Sequence, residues 1–171
     1  EYKVEKVFSN HDYEPYARER DAAIEKLLKS SGAGFHTFKD QVIFEKDEVM
    51  KDDRSPYTVY PPYKNRYLKA LEPKDYKSFP VEKYFSEFHK SKNVKIHTLE
   101  EMGFESYNRT FPSREIPPGI LKNYAEKRDY PSINGTSRIS IHLRFGTISI
   151  RELMAMAVRE KSSTWQNELI W

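Results

Sequence analysis

A strand, a helix and a second strand follow one another within the first 44 residues, and this order constrains the fold more than any other feature of the chain. Val4, Val7 and Phe8 lie in a short segment ending at the polar run Ser9-Asn10-His11-Asp12, the pattern of a strand entering a loop. A helix is expected next. Pro15 suits a first helical turn, Ala22, Ala23, Ile24, Leu27 and Leu28 supply an apolar face, and Gly32 with Gly34 ends it. Phe35 to Phe44 alternates weakly around Val42 and Ile43 and reads as a second short strand. Strand, helix, strand is half of a parallel α/β layer. Such a sheet normally carries several more strands and helices on both faces, and nothing upstream supplies them. The expectation is that an N-terminal portion is missing.

The remaining sequence cannot build a second large core. Of 171 residues, 37% are hydrophobic and 32% charged, so one domain or pieces of two are expected, with a large surface for the core. Aromatic residues reach 14%, which rules out disorder throughout. The longest apolar run, Leu153 to Val158, is far too short to span a membrane. The start, Glu1-Tyr2-Lys3-Val4-Glu5, has no initiator Met and no signal-peptide pattern. With no cysteine, disulfide and thiolate chemistry are excluded, which fits a cytoplasmic protein.

Further along, Pro56 to Tyr63 reads as extended and aromatic, and Lys64 to Leu71 as a helical segment stopped by Pro73. The tyrosines here suit either stacking on bases or packing with wet hydroxyls. Residues 72–118, rich in Lys, Glu, Ser and Pro, read as a long surface linker. From Pro117 the pattern turns helical, with Ile120, Leu121 and Tyr124 on one face. Ser149-Ile150-Arg151-Glu152 has capping-box spacing and predicts a helix to about Lys161, and Ser163 with Gln166 offers another start. Ile139, Ile141, Leu143 and Phe145 alternate with polar residues, so periodicity alone assigns that stretch to a strand.

Charge is unevenly placed. From Tyr107 to Trp171 ten basic residues face six acidic ones, whereas residues 1–106 carry 19 basic and 20 acidic. Arginine outnumbers lysine seven to three in the basic segment, which suits phosphate and base recognition. A solvated mixed-charge surface would read the same way. Gly135-Thr136-Ser137-Arg138-Ile139-Ser140 combines close backbone approach, hydroxyl donors and a cation, as a phosphate or pyrophosphate cradle at a helix start requires. Any Gly-Thr-Ser turn capping a helix has the same composition. In Trp165-Gln166-Asn167-Glu168-Leu169-Ile170-Trp171, helical geometry sets Glu168 between two indoles on an arc of about 120°. That trio suits a planar heterocycle, with rings stacking and the acid accepting from a base edge; two core tryptophans with a solvated Glu would also produce it. The five histidines show no metal-ligand pair at helical spacing, and no GxSxG or GKS/GKT string occurs, so hydrolase and metal chemistry are disfavoured and no metal site is expected.

Four strings in register, "NHDYEPYARERD", "PYTVYPPYKNRYLKAL", "YAEKRDYPSINGTSRISIHLRFGTIS" and "WQNELIW", resemble the DNA photolyase and cryptochrome family over nearly the whole chain. The resemblance implies an α/β fragment followed by an all-α segment, predominantly helical. Residues 1–71 would be the C-terminal part of the α/β antenna domain, 72–118 the interdomain linker, and 119–171 the start of a helical FAD-binding domain. It also implies that residues 139–145 are helical, against their periodicity, and we follow it there. By position, Tyr124, Thr136, Ser137, Arg138, Ile139, Ser140 and Trp165 match contacts to FAD. Arg128 matches a DNA-contacting arginine, and Glu168 and Trp171 match residues that meet a flipped pyrimidine dimer. The implied activity is light-driven repair of cyclobutane pyrimidine dimers in DNA, with reduced FAD as electron donor and no catalytic side chain of the chain's own. Glu168 three residues before Trp171 favours this over members acting on the other pyrimidine photoproduct, which tend to carry Gln there; a cryptochrome photoreceptor or a single-strand-specific relative is the alternative reading.

Two departures shape the expectation. Where folate-antenna members carry an Asn-Glu pair, this chain has Tyr16 and Ala17, so a folate antenna is doubtful and the second chromophore stays unassigned. The sequence also stops at Trp171, inside an expected helix, so an internal fragment, inactive by itself, is expected.

Overall fold

In the computed structural model of the chain, residues 3–90, 95–107 and 110–170 are described. The opening strand–helix–strand unit forms as expected. Strand β1 (Lys6–Asn10) and strand β2 (Gly34–Phe38) pair in parallel, with Lys6 opposite Gly34 and Asn10 opposite Phe38. Helix α1 (Pro15–Ser30) joins them, with proline in its first turn, where the missing N–H costs no helical hydrogen bond. It closes by bonds from Gly32 N to Lys29 O (3.2 Å) and Ala33 N to Leu28 O (2.9 Å). Gly32 adopts φ +78° there, a left-handed conformation that glycine takes without a Cβ penalty. Gly34 is not part of this stop but begins β2, and β2 ends at Phe38 rather than Phe44. Ile43 is still buried, but from a loop.

Helix α2 (Tyr60–Ala70) starts earlier than the extended reading of residues 56–63 allowed. Pro61 and Pro62 caused the error. Within a helix they are breakers, but in a first turn the amides they lack have no intrahelical acceptor anyway. The tyrosines pack rather than present free faces. Tyr67 is buried, Phe44 meets it edge-on at 4.8 Å, and the Tyr60 hydroxyl donates to the carbonyl of Asn167 at 2.7 Å.

Residues 72–118 carry the 3-10 turns Pro73–Tyr76 and Val81–Glu87, and nearly all of their described residues are exposed. Four short helices follow: α3 (Tyr124–Lys127), α4 (Ser140–Arg144), α5 (Ile150–Arg159) and α6 (Ser163–Glu168). Residues 140–144 are thus helical, and the alternation in that stretch misleads because Phe145, its last apolar member, is exposed. Ser149 caps α5 by accepting from the amide of Arg151 (3.2 Å), one residue earlier than a capping box places the bond. The residue before α6 is Ser162, not Ser163, and its hydroxyl donates to the buried carbonyl of Leu121 at 2.7 Å.

The core lies in two clusters that share α5. Leu153 and Ala157 face Leu121, Tyr124, Ile139, Ile148 and Trp165. Met154 faces Ile43, Val49, Tyr67 and Ile170. Leu153 and Met154 are fully buried, each worth about 1.5–3 kcal/mol by transfer from water. Arg151 reinforces the second contact by donating to the carbonyls of Asp40 and Val42, the latter at 3.1 Å. No helix among the described residues is long and apolar enough to cross a membrane.

Candidate functional site

The site is built where α3, the loop after it and α6 meet. After Lys127 the chain makes tight turns, Tyr130 N to Lys127 O (3.2 Å) and Gly135 N to Ile133 O (2.9 Å), which fold residues 130–135 back onto α3. Gly135 is buried there, and a Cβ on it would lie 2.4 Å from the carbonyl oxygen of Lys127. The close backbone approach read from this glycine is therefore made to α3 itself. Its consequence is to fix the position of the next three residues.

Thr136, Ser137 and Arg138 line one side of an open cleft of about 340 Å³, faced by Thr110 to Ser113. Arg138 holds φ +53°, a conformation costing a non-glycine residue about 1–2 kcal/mol. The cleft offers two hydroxyls and a guanidinium from three successive residues. Ile139 and Ser140 do not line it. Ile139 is 5% exposed, within the first core cluster, and Ser140 is exposed as the first residue of α4. With five residues, α4 is too short to add the helix-start field that the sequence suggested.

The indole of Trp165 is 2% exposed, and its Nε1 donates to Ser137 Oγ at 3.3 Å. It therefore supports the loop from behind and forms no wall beside Glu168. Instead, Glu168 pairs with Arg128, whose guanidinium lies 5.6 Å from the centre of the Tyr124 ring and also meets Asp129 at 3.2 Å. Hydrogen bonding to Glu168, then to Asp129, holds the Arg128 guanidinium above its ordinary range. Burial first, and the Glu168 carboxylate second, raise the phenols of Tyr124 and Tyr60 above their usual value. Glu168 also lines a second cleft of about 330 Å³ together with the rings of Phe44, Tyr63 and Tyr67. Trp171, the expected second wall, lies outside the described residues.

Sequence reasoning missed the segment facing the loop. His142 Nε2 donates to the carbonyl of Pro112 (2.9 Å), its Nδ1 lies 2.8 Å from Thr147 Oγ1, and Arg114 donates to Thr147 O (3.3 Å). A carbonyl can only accept, so Nε2 carries the proton. These bonds hold residues 110–113 opposite Thr136. Nothing in the "TFPS" string signals the contact, because it depends on a histidine thirty residues away. Among the described residues no group of three His, Asp or Glu side chains could hold a metal ion.

With the geometry in place, comparison with known proteins gives a consistent answer. Residues 1–83 match the family model for DNA photolyase. The deoxyribodipyrimidine photo-lyase of Salmonella typhimurium is 29% identical, aligned over 100% of this chain and 39% of its own length. That of Escherichia coli is 27% identical over the same shares. The chain is similar in sequence to the DNA photolyases. The crystal structure of a class III photolyase from Agrobacterium tumefaciens superposes with a TM-score of 0.62 at 20% identity, covering 98% of this chain and 39% of that one, which supports the fold. The chain therefore spans about two-fifths of the length of these photolyases. The family match covers the parallel β1–α1–β2 unit, and the relatives extend over α3 to α6, where the loop and the Arg128–Glu168 pair lie.

Proposed function

We propose that this chain supplies a diphosphate-holding loop and a lesion-contacting edge of a deoxyribodipyrimidine photo-lyase, an FAD enzyme repairing cyclobutane pyrimidine dimers in DNA by light. On this reading residues 1–71 are the last part of the α/β antenna unit, 72–118 the connection, and 119–171 the opening of the helical FAD-binding unit. The observation carrying it is the bond from Trp165 Nε1 to Ser137 Oγ at 3.3 Å. It holds the Thr136–Arg138 loop against the helix that bears Glu168, so anion-holding and base-contacting groups share one folded unit.

The Thr136–Arg138 side of the cleft fits a nucleotide's diphosphate, with the Glu115 carboxylate on the lining as the group that opposes an anion. Thr136 and Ser137 offer hydroxyl donors, and Arg138 offers a planar cation able to make two parallel bonds to phosphate oxygens. FAD, when bound, supplies the photoexcited electron that opens the dimer. The chain's own residues bind and orient. Thr136, Ser137 and Arg138 hold the diphosphate, with Ile139 and Ser140 fixing the far end of the loop, and Tyr124 and Trp165 support the cofactor side of the unit. Arg128 takes a DNA phosphate, Glu168 accepts from N–H groups on the exposed edge of the extruded dimer, and Trp171 stacks on it.

The test is binding of a duplex carrying one thymine dimer against the same duplex undamaged. Wild-type chain should prefer the dimer. Glu168→Ala should weaken dimer binding roughly tenfold, the scale of a hydrogen bond to a charged group, without a matching loss on undamaged DNA. Equal losses on both DNAs remove the proposed role.

A further inference from the structure

We infer that the Arg128–Glu168 ion pair is a specificity device, which penalises DNA that offers a phosphate without an exposed base edge. This rests on the reading above and concerns how the same site discriminates. Arg128 is engaged on three sides: by Glu168, by Asp129 at 3.2 Å and by the Tyr124 ring at 5.6 Å. The Arg128 and Glu168 side chains are 31% and 43% exposed, so a ligand reaches both.

The penalty follows from the charges. A phosphate that draws Arg128 away leaves the Glu168 carboxylate without its cation and beside a second anion. Undamaged duplex supplies the phosphate but keeps its base N–H groups paired inside the helix, so nothing replaces what Glu168 has lost. An extruded dimer supplies both partners at once, and each new contact makes the other easier. Selectivity then comes as much from what the pair rejects as from what Glu168 accepts.

A double-mutant cycle on undamaged DNA separates this from a simple change in net charge. Glu168→Gln should strengthen binding of an undamaged duplex at low salt by up to about fivefold, the upper range for a half-exposed ion pair. The same substitution on an Arg128→Gln background should give almost none of that gain. No gain in the first case, or an equal gain in both, overturns the inference. The pair is also readable without DNA. The Arg128 Nη1–H resonances of the free chain, on the nitrogen that meets Glu168, should move on Glu168→Gln, and unmoved resonances overturn the inference even if DNA binding is too weak to measure. Wild-type chain that binds damaged and undamaged duplex alike would sink the dimer reading but leave the coupling measurable on undamaged DNA.

Discussion

Gly135→Ala should be costly although the new methyl is small and the glycine needs no left-handed backbone. The added Cβ would sit 2.4 Å from Lys127 O, 2.8 Å from Lys127 C and 2.9 Å from Lys127 Cβ. Ordinary contact begins near 3.5 Å, so loop and helix must separate by about 1 Å. The opposing atoms are mainly backbone, and no rotamer change relieves them. Overpacking of this kind costs about 1–3 kcal/mol. For a chain of this length each kcal/mol moves the midpoint by roughly 2–4 °C, so a drop of about 2–12 °C is expected in a thermal melt followed by circular dichroism. Gly146→Ala is the control: no atom lies within 4 Å of its Cβ, and only its φ of +63° opposes the change. Gly135→Ala should be the more damaging of the two and, on the function proposed above, should also weaken FAD binding by the parent enzyme, because the loop carries Ser137 away from Trp165. A midpoint for Gly135→Ala equal to wild type, or above that of Gly146→Ala, would refute the claim that the loop is seated on the Lys127 backbone.

Two further predictions concern the β2–α5 junction and the end of β1. Arg151→Met keeps much of the side-chain bulk but leaves the carbonyls of Asp40 and Val42 without their donors, so urea unfolding should show a loss of about 1–3 kcal/mol; a stability equal to wild type would show that these carbonyls find other partners. Burial pushes the Glu45 carboxyl up, but hydrogen bonds from Tyr13 and His11 outweigh it and hold the group below its ordinary value. Its stabilisation is therefore complete above the unfolded carboxylate pKa and is lost as pH falls through the lower folded value. Melts between about pH 3 and pH 6 should lose less stability on acidification in Glu45→Gln than in wild type, and parallel curves would contradict this.

The legible parts of the fold were those set by local chemistry. Pro15 and Gly32 mark the ends of α1 in the sequence because each acts on its own backbone. The helix beginning at Ile150 was equally readable from Ser149 before it, although nothing in the sequence revealed that two different clusters would claim Leu153 and Met154. Errors arose where a residue's local meaning was overruled by its neighbours. Pro61 and Pro62 break a helix interior but fit a helix start, and the alternation from Ile139 to Phe145 imitates a strand although its members are divided between core and solvent. At the site, sequence named the loop residues that line the cleft, yet it could not distinguish an indole facing a ligand from one buried behind the loop. Trp165 and Glu168 lie three residues apart, and their different fates were decided by Ser137 and Arg128, which are distant in sequence.

That division of labour explains how a chain with so little core can hold a site in shape. Neither cluster is large, but α5 belongs to both, so a shift of the helix disturbs Leu153 against Trp165 and Met154 against Tyr67 together. Arg151 adds a polar tie from the same helix to the segment after β2, and the guanidinium is buried, so its donors have few other acceptors to turn to. Trp165 then transmits the position of this shared core to the surface, since its ring is packed in the first cluster while its Nε1 grips Ser137. The loop is held by two independent constraints, a steric one at Gly135 and a hydrogen bond at Ser137, and neither uses the outward-facing Thr136 or Arg138. Residues that position the loop are thereby separated from residues free to meet a ligand, which is the arrangement a preorganised anion site requires.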